Sequence, residues 1–178
     1  MCPGMAHQSP PAPGAASKIR IERTYSATPE EIWKLWTTSE GIESWWAPDG
    51  FRTDVEKLEL RVGGELIYSM TAVGPEQVEF MKKAGMPLSN KSRKTFTEIQ
   101  PPRRIAYNSL IDFVPGHEPY EQLTVVDLTP TRDGVQVVMT ADPMHDDVWT
   151  QRLAAGRENE LANLARLIDR RRSDTTKR

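Results

Sequence analysis

Cysteine is almost missing: the 178 residues contain one, Cys2, so no disulfide can form within the chain. Such a chain must hold together by its own core, and a reducing compartment, the cytoplasm, is the expected location. Long apolar runs are missing too. None approaches the roughly 20 residues a membrane-spanning helix needs, and the first residues lack the basic-then-apolar order of a secretory signal. Nor is there a surplus of either charge. A formal net charge of −2 sets up no global field, so neither nucleic acid nor a membrane is an expected partner. The basic end, Arg170-Arg171-Arg172 with Lys177 and Arg178, reads as a solvated helix terminus running into a short tail over 171–178.

Motifs for nucleophilic or phosphate chemistry are equally scarce. No Gly-x-Ser-x-Gly elbow occurs, and Gly63-Gly64 is not followed by Lys-Ser/Thr, so it reads as a turn rather than a phosphate cradle. Of three histidines, His7 and Cys2 share a Pro- and Gly-rich stretch, residues 1–17, which is expected to be a disordered tail. His117 falls in a Pro115–Pro119 turn. Asp142, His145, Asp146 and Asp147 are the densest cluster of ligand-type side chains, but they stand immediately before a long helical pattern. Carboxylates there cap the helix and complement its dipole. No metal site and no cofactor is expected.

What is present is a chain that alternates on a period of two and then turns helical. Ile19, Ile21, Arg23 and Tyr25 open a strand. Thr28-Pro29-Glu30-Glu31 is a helix start with a capping box, followed by Ile32, Leu35 and Trp36 on one face. Ser39 is expected to cap a second short helix ending at Trp45-Trp46 before Pro48. Strand patterns follow at 55–60, 66–71, 93–99, 104–113, 120–128 and 135–141, with a hairpin signal at Asp133-Gly134. Residues 74–90 interrupt the rhythm and are expected to form a short helix, placed over the sheet edge or as a lid. From about Asp146 to Asp169 there is no proline, and Trp149, Leu153, Leu161, Leu164, Leu167 and Ile168 share one arc. One α+β domain over 18–170 is expected, a curved antiparallel sheet wrapped around the C-terminal helix, with two short helices after the first strand.

The order of these residues resembles a known family. Thr28-Pro29-Glu30-Glu31-Ile32-Trp33, then Trp45-Trp46-Ala47-Pro48, then Val62-Gly63-Gly64-Glu65-Leu66, is similar to the Hsp90-ATPase-activator-like branch of the START/Bet v 1-like superfamily. Thr97 to Ile105, with Pro101-Pro102 at its centre, resembles that branch's strand-then-proline segment. Gly156 with Leu161 and Leu164 resembles its last helix. The likeness spans about Lys18 to Asp169. It implies a helix-grip fold with a hydrophobic cavity between sheet and helix. It departs at Arg157, where such helices often carry Trp.

A pocket can be assembled from the patterning. Leu66, Tyr68 and Met70 share one strand face, with Trp46, Tyr107, Val126 and Met139 as further wall candidates. Phe80 and Met81 come from the interruption, and Trp149 and Leu153 from the long helix. An ordinary packed core produces the same pattern. The sharper signal is a charged pair, Arg157 and Glu160, projecting into the helix's apolar arc at a spacing that lets them meet. Arg157 is a candidate anchor for a ligand's acidic group.

Three functions remain open. The leading one is non-enzymatic binding of a small apolar or amphipathic molecule. The second is a cavity enzyme of hydrolase, cyclase or lyase type, with Tyr68, Tyr107, Asp142 and His145 as acid–base candidates. The third, implied by the resemblance, is a module that engages a chaperone partner. Self-association as a homodimer is compatible with each.

Overall fold

The computed structural model describes residues 17–176, so residues 1–16 of the expected tail, Cys2 and His7 among them, lie outside the described residues. β1 (Ile19–Tyr25) leads into α1 (Pro29–Thr37) and α2 (Ser39–Trp45). Thr28 accepts from the Glu31 N–H at 3.1 Å while the Glu31 carboxylate accepts from the Thr28 N–H at 3.0 Å, closing the capping box. α2 is capped by Thr38, whose Oγ1 accepts from the Gly41 N–H at 3.0 Å, and not by Ser39. The α1–α2 corner is too tight for a side chain at position 41: a Cβ on Gly41 would stand 2.5 Å from the Lys34 carbonyl oxygen.

The remaining strands are β2 (Phe51–Leu58), β3 (Glu65–Ala72), β4 (Ser89–Gln100), β5 (Arg104–Ile111), β6 (Tyr120–Pro130) and β7 (Val135–Ala141). With β1 they form one curved antiparallel sheet in the order β1-β7-β6-β5-β4-β3-β2. Register shifts at Val55/Lys57 and Phe96/Glu98 mark bulges that bend the strands. α3 (Pro75–Lys83) fills the expected interruption. It docks through buried Met81 and through Gln77, which presses on Gly50 and Gly74.

α4 (Asp147–Thr176) runs on through Arg170-Arg171-Arg172, beyond the Asp169 at which the apolar arc ends. Asp146 caps it, its Oδ1 accepting from the Trp149 N–H at 2.8 Å. The helix is held to the sheet at two depths. Tyr25 donates its hydroxyl to the Leu161 carbonyl at 2.8 Å, and Arg157 Nη2 donates to Thr124 Oγ1 at 3.2 Å.

The inner face of the sheet is divided. At one end, Phe96, Ile105, Leu128, Val135 and Val137 pack against α1, α2 and the later turns of α4 through Leu164, Leu167 and Ile168. This is a solid apolar core. At the other end, under the first turns of α4, the inward positions become polar. That is where space remains.

Candidate functional site

Strand register builds the polar floor. Leu66 of β3 lies opposite Lys94 of β4, Lys94 opposite Ser109 of β5, and Ser109 opposite Gln122 of β6. One row of inward side chains thus crosses four strands with three polar members. The next row, Phe96–Tyr107–Thr124–Ala141, carries Tyr107 and Thr124. Above these rows lies a cavity of about 290 Å³. Ile111, Phe113 and Met144 close it on the sheet side, and Trp149, Leu153 and Gly156 on the helix side.

Lys94 is the least expected member. It is 4% exposed, and its Nζ donates to Ser109 Oγ at 2.6 Å. The rings of Tyr107, Trp46 and Tyr68 surround it, with centroids 5.1, 5.7 and 5.8 Å from Nζ. Burial pushes the amine down to about 7, aided by the Arg157 charge and opposed by Glu160. It therefore exchanges a proton near neutrality. Arg157 is 5% exposed. Its Nη1 donates to both Glu160 oxygens at 3.2 Å, while its Nε–H has no protein partner. Burial works against the guanidinium charge, but Glu160, together with Tyr107 and Tyr68, more than offsets it and keeps the group protonated. Gln122 is fully engaged, its Nε2 donating to the Leu123 and Asp142 carbonyls at 2.8 and 2.9 Å.

Of the residues expected to form a pocket, Tyr68, Trp149, Leu153, Arg157 and Glu160 line this cavity. Trp46 and Tyr107 stand behind its floor, with the Trp46 ring edge-on to Tyr68 at 5.3 Å. Leu66, Val126 and Met139 are packed into the solid core, and Met70 lies against it. They do not line the cavity, because strand alternation fixes only their face and not their position along the strand. Phe80 is 66% exposed on the outer side of α3. Its neighbour Met81 is buried, since adjacent helical residues point about 100° apart, yet Met81 does not line the cavity either. No residue of the 74–90 interruption lines it.

The four acid–base candidates are not brought together. Tyr68 and Tyr107 are buried at the floor, where burial raises both phenols above their ordinary range. Asp142 faces outward and pairs with Lys18 at 3.2 Å. His145 is bonded through Nδ1 to the Tyr120 hydroxyl at 2.8 Å and lies 4.3 Å from the His117 ring. Neither Asp142 nor His145 lines the cavity. Lys94, Ser109 and Gln122 were not anticipated. The available signal was Phe96, two residues after Lys94 and on the same strand face.

A second groove, of about 570 Å³, lies at the opposite strand ends among Pro29, Pro102, Arg103, Arg132 and Asp133. It is wider, but none of its lining side chains is buried. Nothing there holds a polar group in a fixed, dry position.

A sheet gripping a long helix with a cavity between them defines a helix-grip protein of the START/Bet v 1-like superfamily. Within that class the chain belongs to the family described as Activator of Hsp90 ATPase homolog 1-like protein, whose model matches residues 26–169. Solved structures agree in fold. A protein from Chromobacterium violaceum superposes with a TM-score of 0.68 at 23% identity, over 85% of this chain and 96% of that one. An AHSA1-like protein from Aeromonas hydrophila gives 0.68 at 23%, over 86% and 92%. A protein from Rhodobacter sphaeroides gives 0.67 at 23%, over 88% and 95%. No curated protein matches the chain. Among the described residues, no helix is long and apolar enough to cross a membrane.

Proposed function

We propose that this protein binds one small amphipathic molecule between the first turns of α4 and the polar rows of the sheet. The observation that carries this reading is the cavity's division into an apolar wall and a buried polar floor. The cleft opens to solvent past Phe113, Arg152 and Gly156, while its floor holds Lys94, Ser109, Gln122 and Arg157 buried, so fixed polar groups face a space a ligand can enter. Small-molecule sites commonly combine apolar walls with a few fixed polar groups, at volumes from roughly 300 Å³ upward. Of the four acid–base candidates read from the sequence only Tyr68 lines the cavity, so the set on which the cavity-enzyme reading rested does not converge there. A chaperone partner is supported by the family's description alone.

Gly156 supplies the test. A Cβ built there meets nothing within 4 Å, and the residue lines the cavity. In Gly156→Leu the new side chain should occupy ligand space while the helix gains roughly 0.5–1 kcal/mol from losing a glycine. Titration with 1-octanol, followed by Trp fluorescence and native mass spectrometry, is expected to show uptake by the parent protein and none by the variant. Equal uptake by both, or none by either, would overturn the cavity as the binding site.

A further inference from the structure

The floor of the cavity holds a charge imbalance. Arg157 and Glu160 neutralise each other through the two 3.2 Å contacts. Lys94 has no carboxylate among its hydrogen-bond partners; its contact is the neutral Ser109 hydroxyl. The groups facing it are Tyr68 from β3, Tyr107 and Ser109 from β5, Trp46 at the end of α2, and Arg157 and Glu160 from α4. Arg152 adds a cation at the rim, stacked 5.0 Å from the Trp149 ring centroid. Leaving out Arg152 and Arg93, which are exposed at the rim, the floor carries two cations, Lys94 and Arg157, and one anion, Glu160, when Lys94 is protonated. Its hydrogen-bonding capacity is lopsided in the same sense. Lys94 has spare N–H donors, Arg157 Nε–H is buried without a partner, and Ser109 retains its own hydroxyl proton. Donors outnumber acceptors, and buried donors are costly to leave unmade.

We infer that the molecule bound in this cavity carries a single carboxylate, seated on Lys94 beside the Arg157–Glu160 pair, with its apolar body against Trp149, Leu153 and Ile111. This rests on the cavity being the binding site. A lone carboxylate brings the floor to neutrality and supplies the acceptors it lacks. Two anionic groups would overshoot, and Glu160 on the same wall would repel the second.

A consequence separates this arrangement from simple apolar capture. In the empty protein Lys94 releases its proton near pH 7. A carboxylate beside it favours the ammonium, so the ligand enters together with a proton. With the free amine at about 7, affinity for a carboxylate should fall about tenfold between pH 6 and pH 8, following the protonated fraction of Lys94.

Octanoate and 1-octanol share a chain and differ in head group, so the full-length protein is titrated calorimetrically with each at pH 6 and pH 8. Octanoate is expected to bind more tightly than octanol at pH 6, to lose about tenfold by pH 8, and to show proton uptake when buffers of different ionisation enthalpy are compared. Octanol should be insensitive to pH. Lys94→Met, which keeps a long side chain among the three rings, should bind both equally at either pH. Gly156→Leu should bind neither. If octanol and octanoate bind the parent protein equally at both pH values, the cavity stands as a site and the carboxylate assignment is wrong. If neither binds, both readings are overturned. An acid preference that survives in Lys94→Met would move the head group away from Lys94 and refute the inference as stated.

Discussion

Lys94 shows what one buried residue contributes, and why strand patterning conceals it. Lysine in an alternating strand ordinarily marks the solvent face, and here it stands among Lys91 and Arg93, which are exposed. Its inward direction follows from pairing with Ser109 and from sharing a face with Phe96, and the rest of its surroundings comes from other elements: Tyr68 of β3, Tyr107 of β5, Trp46 and Arg157. The cost of burying it is measurable as a pH dependence. The folded-state amine is depressed to about 7, below its unfolded value near 10.4. Between those values the unfolded chain binds the extra proton, so stability contributed through Lys94 rises with pH. Below about pH 7 the full penalty applies, and above the unfolded value it vanishes. Lys94→Met should therefore be more stable than the parent by on the order of 1–4 kcal/mol at pH 6, with the gap closing towards pH 10. Urea denaturation of both proteins across that range reads it directly, and a gap that widens with pH would contradict the burial argument.

At the scale of elements, α4 was the most legible part of the chain. Its 3.6-residue period exposed Arg157 and Glu160 as intruders in an apolar arc, and the structure places them in contact at 3.2 Å with Arg157 buried. The short helices and strands were legible in kind. Their limits were not: β2 begins at Phe51 and β4 at Ser89, because the hydrogen-bonded partner strand extends pairing into residues that lack any alternation. Phe80 was misread for a related reason. Helical spacing says which residues share a face, but only the docked neighbour says which face is inward, and α3 turned Met81 in and Phe80 out. The Arg157–Glu160 pair gives α4 its own prediction. Glu160→Gln leaves a buried guanidinium without its counter-charge and should cost about 3 kcal/mol, whereas Arg157→Met with Glu160→Met should come close to neutral. Thermal melts of the two variants at one pH give the comparison. Equal destabilisation by both would show that the pair acts through packing and not through charge.

Over the whole molecule, sequence patterning implied a sheet around a helix, while the division of the interior into a solid and a hollow end was not visible in it. Both ends use the same alternation, and which inward positions are filled depends on where the α1–α2 corner docks. That corner brings Trp36, Trp45 and Ile42 onto one half of the sheet face, each 3% exposed or less. The other half meets Trp46 at the edge of that corner, and over its polar rows stand the first turns of α4 with Phe113 of the β5–β6 connection. Free energies of local opening should follow the same division, since segments with few buried apolar contacts open first. Amide exchange by mass spectrometry on the ligand-free protein should be faster in Asp112–Pro119 and in Asp147–Leu153 than in Leu164–Ile168 or in β7. Saturating octanoate at pH 6 should slow exchange in the first two segments and leave the latter two unchanged. At a free concentration 100 times Kd the ligand would also add about 2.7 kcal/mol to global stability, by mass action on the folded state alone. Protection centred instead on the groove at Pro29, Pro102 and Arg132 would relocate the binding site to the far end of the sheet.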